Sequence, residues 1–161
     1  MLTVLTLRGT STAEGVHTVA TASARLTHLG LPVTDLAKSI AFYEKWTGMK
    51  VQDRPTDPVG IKGARLAQKK GDFTISLLVM PMQMALPMPG VMHLGFDATS
   101  KAQVDKLAAS AKKAGILISG PVDSGPDLGY QAYISDPDGN SLEFSFGQTL
   151  GVTDTAEVAK E

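Results

Sequence analysis

Hydrophobic positions along the chain follow a pattern that occurs twice. After Arg25, the residues Leu29, Leu31 and Val33 alternate with others, the period of a strand with one buried face. Leu36, Ile40, Tyr43 and Thr47 then recur at helical spacing, with Thr34 or Asp35 available as the cap and Gly48 as the stop. The pattern returns at Val91: Met92, Leu94 and Phe96 alternate, and a Ser100-capped helix carries Val104, Leu107, Ala108 and Ala111 up to Gly115. The predicted helices cover residues 36–46 and 103–114, and a further strand closes each unit, ending near Val51 in the first and near Ile118 in the second. Both units contain His-Leu-Gly, at 28–30 and 93–95, and Gly48 follows His28 by 20 residues while Gly115 follows His93 by 22. A repeat of this kind predicts two copies of one supersecondary unit.

Further strands are predicted at residues 63–68 and 73–80 in the first half and at 130–135 and 141–146 in the second. Lys70-Gly71-Asp72 and the run Asp136 to Asn140 supply their turns. Each half is therefore β-α-β-β-β, an α+β chain. The ordered body is expected over residues 25–147, with modules at about 25–82 and 90–147. Residues 1–24, rich in Thr, Ser and Ala, read as an appendage in which Thr3 to Leu7 adds at most one strand, and 148–161 as a polar tail. The run Met80 to Pro89 reads as an apolar loop between the halves, suited to lining a pocket or a dimer contact.

Composition narrows the chemistry. With 15 basic and 16 acidic residues in 161, no charged field points to nucleic acid. The chain has no cysteine, so a metal must sit on His and carboxylate, and disulfides and thiolate catalysis are excluded. The short apolar run Met1 to Leu7 lacks a basic leader and reads as no signal peptide, and no stretch approaches the ~20 apolar residues of a membrane span. A cytoplasmic, soluble protein with a small-molecule partner and no membrane partner is expected.

Strand parity assigns faces. Leu29, Leu31 and Val33 point toward the helices and His28, Gly30 and Pro32 away; Met92, Leu94 and Phe96 point toward them and His93 and Gly95 away. In the last strand Leu142, Phe144 and Phe146 pack while Ser141, Glu143 and Ser145 oppose them, and in the first half Phe73, Ile75, Leu77 and Val79 pack while Thr74, Ser76 and Leu78 oppose them. Two histidines and a glutamate thus share the helix-free side. Two imidazoles and a carboxylate are a divalent-metal set that leaves coordination positions open. Ser76, the first-half counterpart of Glu143, is a poor ligand, so three protein ligands are expected.

These residues resemble the vicinal-oxygen-chelate superfamily of glyoxalase I, bleomycin-binding proteins and extradiol dioxygenases. The resemblance covers about residues 25–147 and rests on His28-Leu-Gly-Leu-Pro-Val with Ser39-Ile-Ala-Phe42-Tyr43 and Gly48, on Met92-His93-Leu-Gly-Phe, and on Tyr133-Ile-Ser-Asp136-Pro137-Asp138-Gly139-Asn-Ser-Leu-Glu143. It implies two modules forming a curved mixed sheet around a metal site, with helices on the outer face. It also implies His28, His93 and Glu143 as ligands of a divalent ion (Fe, Zn, Ni, Mn or Mg), and a homodimer.

Departures from the family narrow the activity. Glyoxalase I has an acidic fourth ligand where this chain has Ser76; extradiol enzymes have an acid-base histidine upstream of Tyr133, where residues 121–130 hold none; and fosfomycin enzymes need cations, yet no Lys or Arg lies between Lys113 and Lys160.

Other readings stay open. Each histidine could be a structural one. Tyr133 is either a pocket acid or hydrogen-bond donor or a rim aromatic, and Tyr130 carries the same two readings; Ser76 either positions a water or substrate oxygen or merely packs. His17 reads as a surface residue of the appendage, and Asp136-Pro-Asp-Gly as turn chemistry. The expected function is a metal-dependent lyase, isomerase or dioxygenase acting on a small, partly apolar substrate. The alternative is a drug-binding or sequestration protein that needs no metal.

Overall fold

The computed structural model describes residues 26–56, 59–81, 87–88 and 91–149; the appendage, the tail and most of the 80–89 loop lie outside them. The first module runs β1 (His28–Val33), α1 (Leu36–Thr47), β2 (Lys50–Asp53), β3 (Gly63–Ala67) and β4 (Thr74–Val79). The second runs β5 (His93–Asp97), α2 (Lys101–Lys113), β6 (Leu117–Asp123), β7 (Tyr130–Ser135) and β8 (Ser141–Phe146). Each forms its own four-stranded mixed sheet, ordered β1-β4-β3-β2 and β5-β8-β7-β6, with the first strand parallel to the last. The duplicated β-α-β-β-β reading holds.

Local chemistry explains the helix ends. The Asp35 carboxylate accepts from the Lys38 amide at 3.0 Å and the Ser100 hydroxyl from the Gln103 amide at 3.2 Å, each satisfying an amide that the first helical turn leaves unpaired. Gly48 ends α1 in the left-handed region at φ 72°.

The two helix-bearing faces meet. Leu31, Val33, Ile40, Phe42, Tyr43, Leu66 and Leu77 of the first module share one buried cluster with Ala111, Ile134, Leu142 and Phe144 of the second. A polar clasp fastens the same seam. Asp138, in the β7–β8 turn, accepts from the Thr34 amide (3.0 Å) and hydroxyl (2.6 Å) and from the Ser39 hydroxyl (3.3 Å) at the start of α1. Asp136, 4% exposed, accepts from the Tyr43 hydroxyl (2.9 Å), the Asn140 side-chain amide (2.9 Å) and the backbone amides of Asp138 (2.9 Å) and Asn140 (2.8 Å). The Asp136-Pro-Asp-Gly segment is thus a turn, as expected, and also an inter-module fastener.

Some expectations needed correction. Met92 and Phe73, assigned to packing faces, lie just outside β5 and β4 and are exposed, and Phe146 at the end of β8 is 37% exposed. Alternation continues in the sequence past the last paired residue, where no facing layer remains. β6 extends to Asp123 through Gly120 and Pro121, beyond the expected end near Ile118. It is an edge strand, where a proline costs no ladder bond.

Candidate metal centre

Parity places His93, Glu143 and Tyr133 together. Gly95 pairs with Glu143 across β5–β8, and Glu143 with Tyr133 across β8–β7, so the three side chains project from one face of adjacent strands. His93 Nε2 lies 2.7 Å from Glu143 Oε2, the Tyr133 hydroxyl donates to the same oxygen at 3.0 Å, and the His93 and Tyr133 rings meet edge-on at 5.5 Å. Glu143 is 2% exposed, and its other oxygen, Oε1, is buried without a hydrogen-bond partner among the described residues.

The tautomer of His93 follows from its neighbours. Its Nδ1 is 2.8 Å from the Val91 carbonyl, which only accepts, so Nδ1 carries the hydrogen. Neutral imidazole then presents a lone pair at Nε2 toward the Glu143 carboxylate. Two acceptors at 2.7 Å call for positive charge between or upon them, a proton or a cation. A buried carboxylate oxygen with no donor costs about 1–3 kcal/mol or more. A divalent ion relieves both, and the backbone-held imidazole is the usual arrangement of a ligating histidine. The residues fit a metal.

Tyr133 is kept protonated. Burial and then the hydrogen bond and charge of Glu143 push its phenol up to about 12, so near neutral pH it is a donor and not a base. The Gln131 side-chain oxygen, 3.2 Å from the same hydroxyl, is a second acceptor that parity could have found, since residues 131 and 133 share a face. Tyr130 belongs elsewhere: its hydroxyl donates to Asp105 of α2 at 2.6 Å, on the helix side.

His28 and Ser76 lie on the first module's sheet. They line a cavity of about 380 Å³ whose other walls include Pro55, Ile61 and Leu78. His28 Nδ1 lies 3.0 Å from the Thr27 hydroxyl. His93 and Tyr133 line a different cavity, of about 270 Å³. Among the described residues no three His, Asp or Glu side chains of one chain converge on a point that could hold an ion.

The ladders of the two halves superpose in register. Gly30–Ser76–Arg65 form one rung across β1, β4 and β3, and Gly95–Glu143–Tyr133 form the same rung across β5, β8 and β7. Position 76 is therefore the counterpart of position 143, as the sequence suggested. Arg65, not singled out by sequence, is the counterpart of Tyr133.

Comparison with known proteins agrees with this architecture. The chain is 39% identical over 131 residues to the uncharacterized protein PA2024 of Pseudomonas aeruginosa, covering 80% of this chain and 93% of that one. Among solved structures, the antibiotic-binding protein TnmS3 of a Streptomyces species superposes with a TM-score of 0.56 at 26% identity, covering 78% and 97% of the two chains. The fosfomycin resistance protein FosX of Listeria monocytogenes, in a mutant form complexed with Mn(II) and a dihydroxypropylphosphonic acid, superposes with a TM-score of 0.61 at 22% identity, covering 79% and 94%. The model of the Glyoxalase/Bleomycin resistance protein/Dioxygenase superfamily matches residues 25–144, and the chain belongs to that superfamily.

Proposed function

We propose that the protein is a metal-dependent enzyme acting on a small, partly apolar molecule with adjacent oxygens, and that its site forms between two copies of the chain. The observation that carries this reading is the His93–Glu143 pair, an imidazole nitrogen and a carboxylate oxygen 2.7 Å apart, beside a buried carboxylate oxygen with no hydrogen-bond partner among the described residues. His28 of a second copy is the third ligand, because in one chain its sheet and that of His93 meet through their helix-bearing faces. A divalent ion held by His28, His93 and Glu143 would supply Lewis acidity toward a substrate oxygen.

The chain's own groups define the rest. Tyr133 donates a hydrogen bond to Glu143 and stays protonated through the neutral range, orienting the carboxylate. Pro55, Ile61 and Leu78 exclude water around the apolar part of the substrate. Ser76, 9% exposed, positions a water or substrate oxygen beside His28. The chain has three histidines; with His28 and His93 as ligands, no third one lies on the described sheets as an acid-base group. That favours isomerase or lyase chemistry over ring-cleaving dioxygenation.

A second reading, small-molecule sequestration, draws on one observation: among the described residues lining the two cavities, no carboxylate is free of ligand duty to serve as a general base. The likeness to TnmS3 points the same way.

Metal titration of the purified protein and of His28→Ala, His93→Ala and Glu143→Ala variants tests the proposal. Stoichiometric binding in wild type, lost in each variant, is expected. Mixing His28→Ala with Glu143→Ala chains should regenerate one intact site per mixed dimer. If the ligands came from one chain, mixing would restore nothing, and a protein indifferent to all added ions would leave sequestration.

A further inference from the structure

We propose that Arg65 is a specificity determinant that binds a single negative charge, a carboxylate, on the ligand filling the first module's cavity. This rests on the reading of that face as half of the binding site. Arg65 is the only cationic side chain among the described residues lining this cavity, and its walls are otherwise largely apolar. It lies on the same rung as Ser76 and Gly30, with His28 two residues before Gly30 on β1. Strands spaced about 4.8 Å apart put the Arg65 backbone roughly 10 Å from β1. The guanidinium and the imidazole therefore bracket a ligand of small-molecule size, with Thr74 and Ser76 of β4 on the floor between them.

The arginine has spare donor capacity. Among the described residues its partner is Asp53, the next residue along the rung, which contacts a single terminal nitrogen at 3.1 Å. The two side chains are 51% and 53% exposed, so the pair is of the weak, exchangeable surface kind. A guanidinium offers five N–H donors in a planar fork that matches two carboxylate oxygens. Once the ligand displaces Asp53, one cation balances one negative charge; a dianion would leave charge uncompensated. The bland alternative, a cross-strand pair serving only the edge of the sheet, predicts no ligand dependence at all.

The test uses full-length protein stripped of metal with EDTA and then dialysed free of the chelator in metal-free buffer, so that no ion contributes, with phenylacetate and its neutral twin phenylacetamide as probes followed by NMR titration. Wild type should bind phenylacetate at least roughly tenfold more tightly than phenylacetamide, with the preference weakening as salt is added. Arg65→Met should abolish the preference while leaving phenylacetamide binding and the urea midpoint unchanged. An equal affinity of wild type for the two probes, or a preference that survives in Arg65→Met, overturns the assignment. Because no metal is present, this outcome is read independently of the metal titration: either proposal can fail while the other stands.

Discussion

Replacing Tyr43 by phenylalanine removes one hydroxyl from the seam between the modules and tests whether the clasp holds them together. Tyr43 is fully buried, and its hydroxyl donates at 2.9 Å to Asp136, which is 4% exposed. Phenylalanine keeps the ring and its edge-on contact with Phe42 at 5.5 Å, so the loss is confined to the hydrogen bond. A bond to a charged acceptor contributes about 1.5–3 kcal/mol, and Asp136 retains three other donors, which places the expected loss near the lower end, about 1.5–2 kcal/mol. Burial, then the charge of Asp136 and the hydrogen bond to it, raise the Tyr43 phenol far above its ordinary value. A raised folded-state value means this stabilisation is complete below the unfolded value near 10 and is lost as pH rises above it, at up to about 1.4 kcal/mol per pH unit. The advantage of wild type over Tyr43→Phe should therefore be constant from pH 7 to 9 and vanish between roughly pH 11 and 11.5. Urea unfolding followed by fluorescence of Trp46, the single tryptophan, reports it directly. A variant within about 0.5 kcal/mol of wild type at neutral pH, or a difference that does not close under alkali, refutes the role given to this bond.

Two further substitutions probe the scaffold and the site. Gly129 has φ 74°, and an added Cβ would lie 2.7 Å from the Phe146 carbonyl; Gly129→Ala should lower stability by roughly 2–4 kcal/mol in urea unfolding, and a loss below ~1 kcal/mol would show that the loop relaxes. Ser76→Ala should leave metal stoichiometry intact, since Ser76 is no ligand, and should shift the unfolding midpoint by less than about 1 kcal/mol. Loss of metal from that variant would move Ser76 into the ligand set.

The parts of the fold that were legible in sequence are those set by local chemistry. β7 and β8 match their expected limits because a strong turn signal, Asp136 to Asn140, separates two alternating runs. The helices match to within two residues because Asp35 and Ser100 cap their starts and Gly48 and Gly115 stop them. β6 was underread because Gly120-Pro121 reads as a breaker, and only its edge position makes the proline tolerable. The clasp was illegible for another reason. Asp138 and Thr34 are 104 residues apart, and the local turn accounts for the same motif so well that nothing in the pattern signals a second role. Within the site, alternation put His28, His93 and Glu143 on the helix-free side, but it left Tyr133 with two readings and carries no information on how two sheets are disposed, so the separate placement of His28 had to come from the structure.

The matched rungs suggest why a duplicated scaffold carries unequal chemistry. Both halves keep the histidine and the glycine two residues later, the features that place an imidazole over an open floor. They differ at the next two positions: Ser76 and Arg65 in one, Glu143 and Tyr133 in the other. Had both halves carried the glutamate, facing modules would bring two buried carboxylates to one ion, leaving less net positive charge to polarise a substrate. Had both carried the serine, the imidazoles alone would hold the ion without charge compensation. In the proposed site one carboxylate per pair of facing modules would keep a bound ion electrophilic, while the tyrosine on the neighbouring strand fixes that carboxylate through a proton it does not lose near neutral pH. On the other half the same rung position holds Arg65, which lines the first module's cavity and in the proposed site would face the ligand. Under the proposed function, divergence at two positions on one rung would be enough to give a repeated fold a metal-holding side and a substrate-holding side.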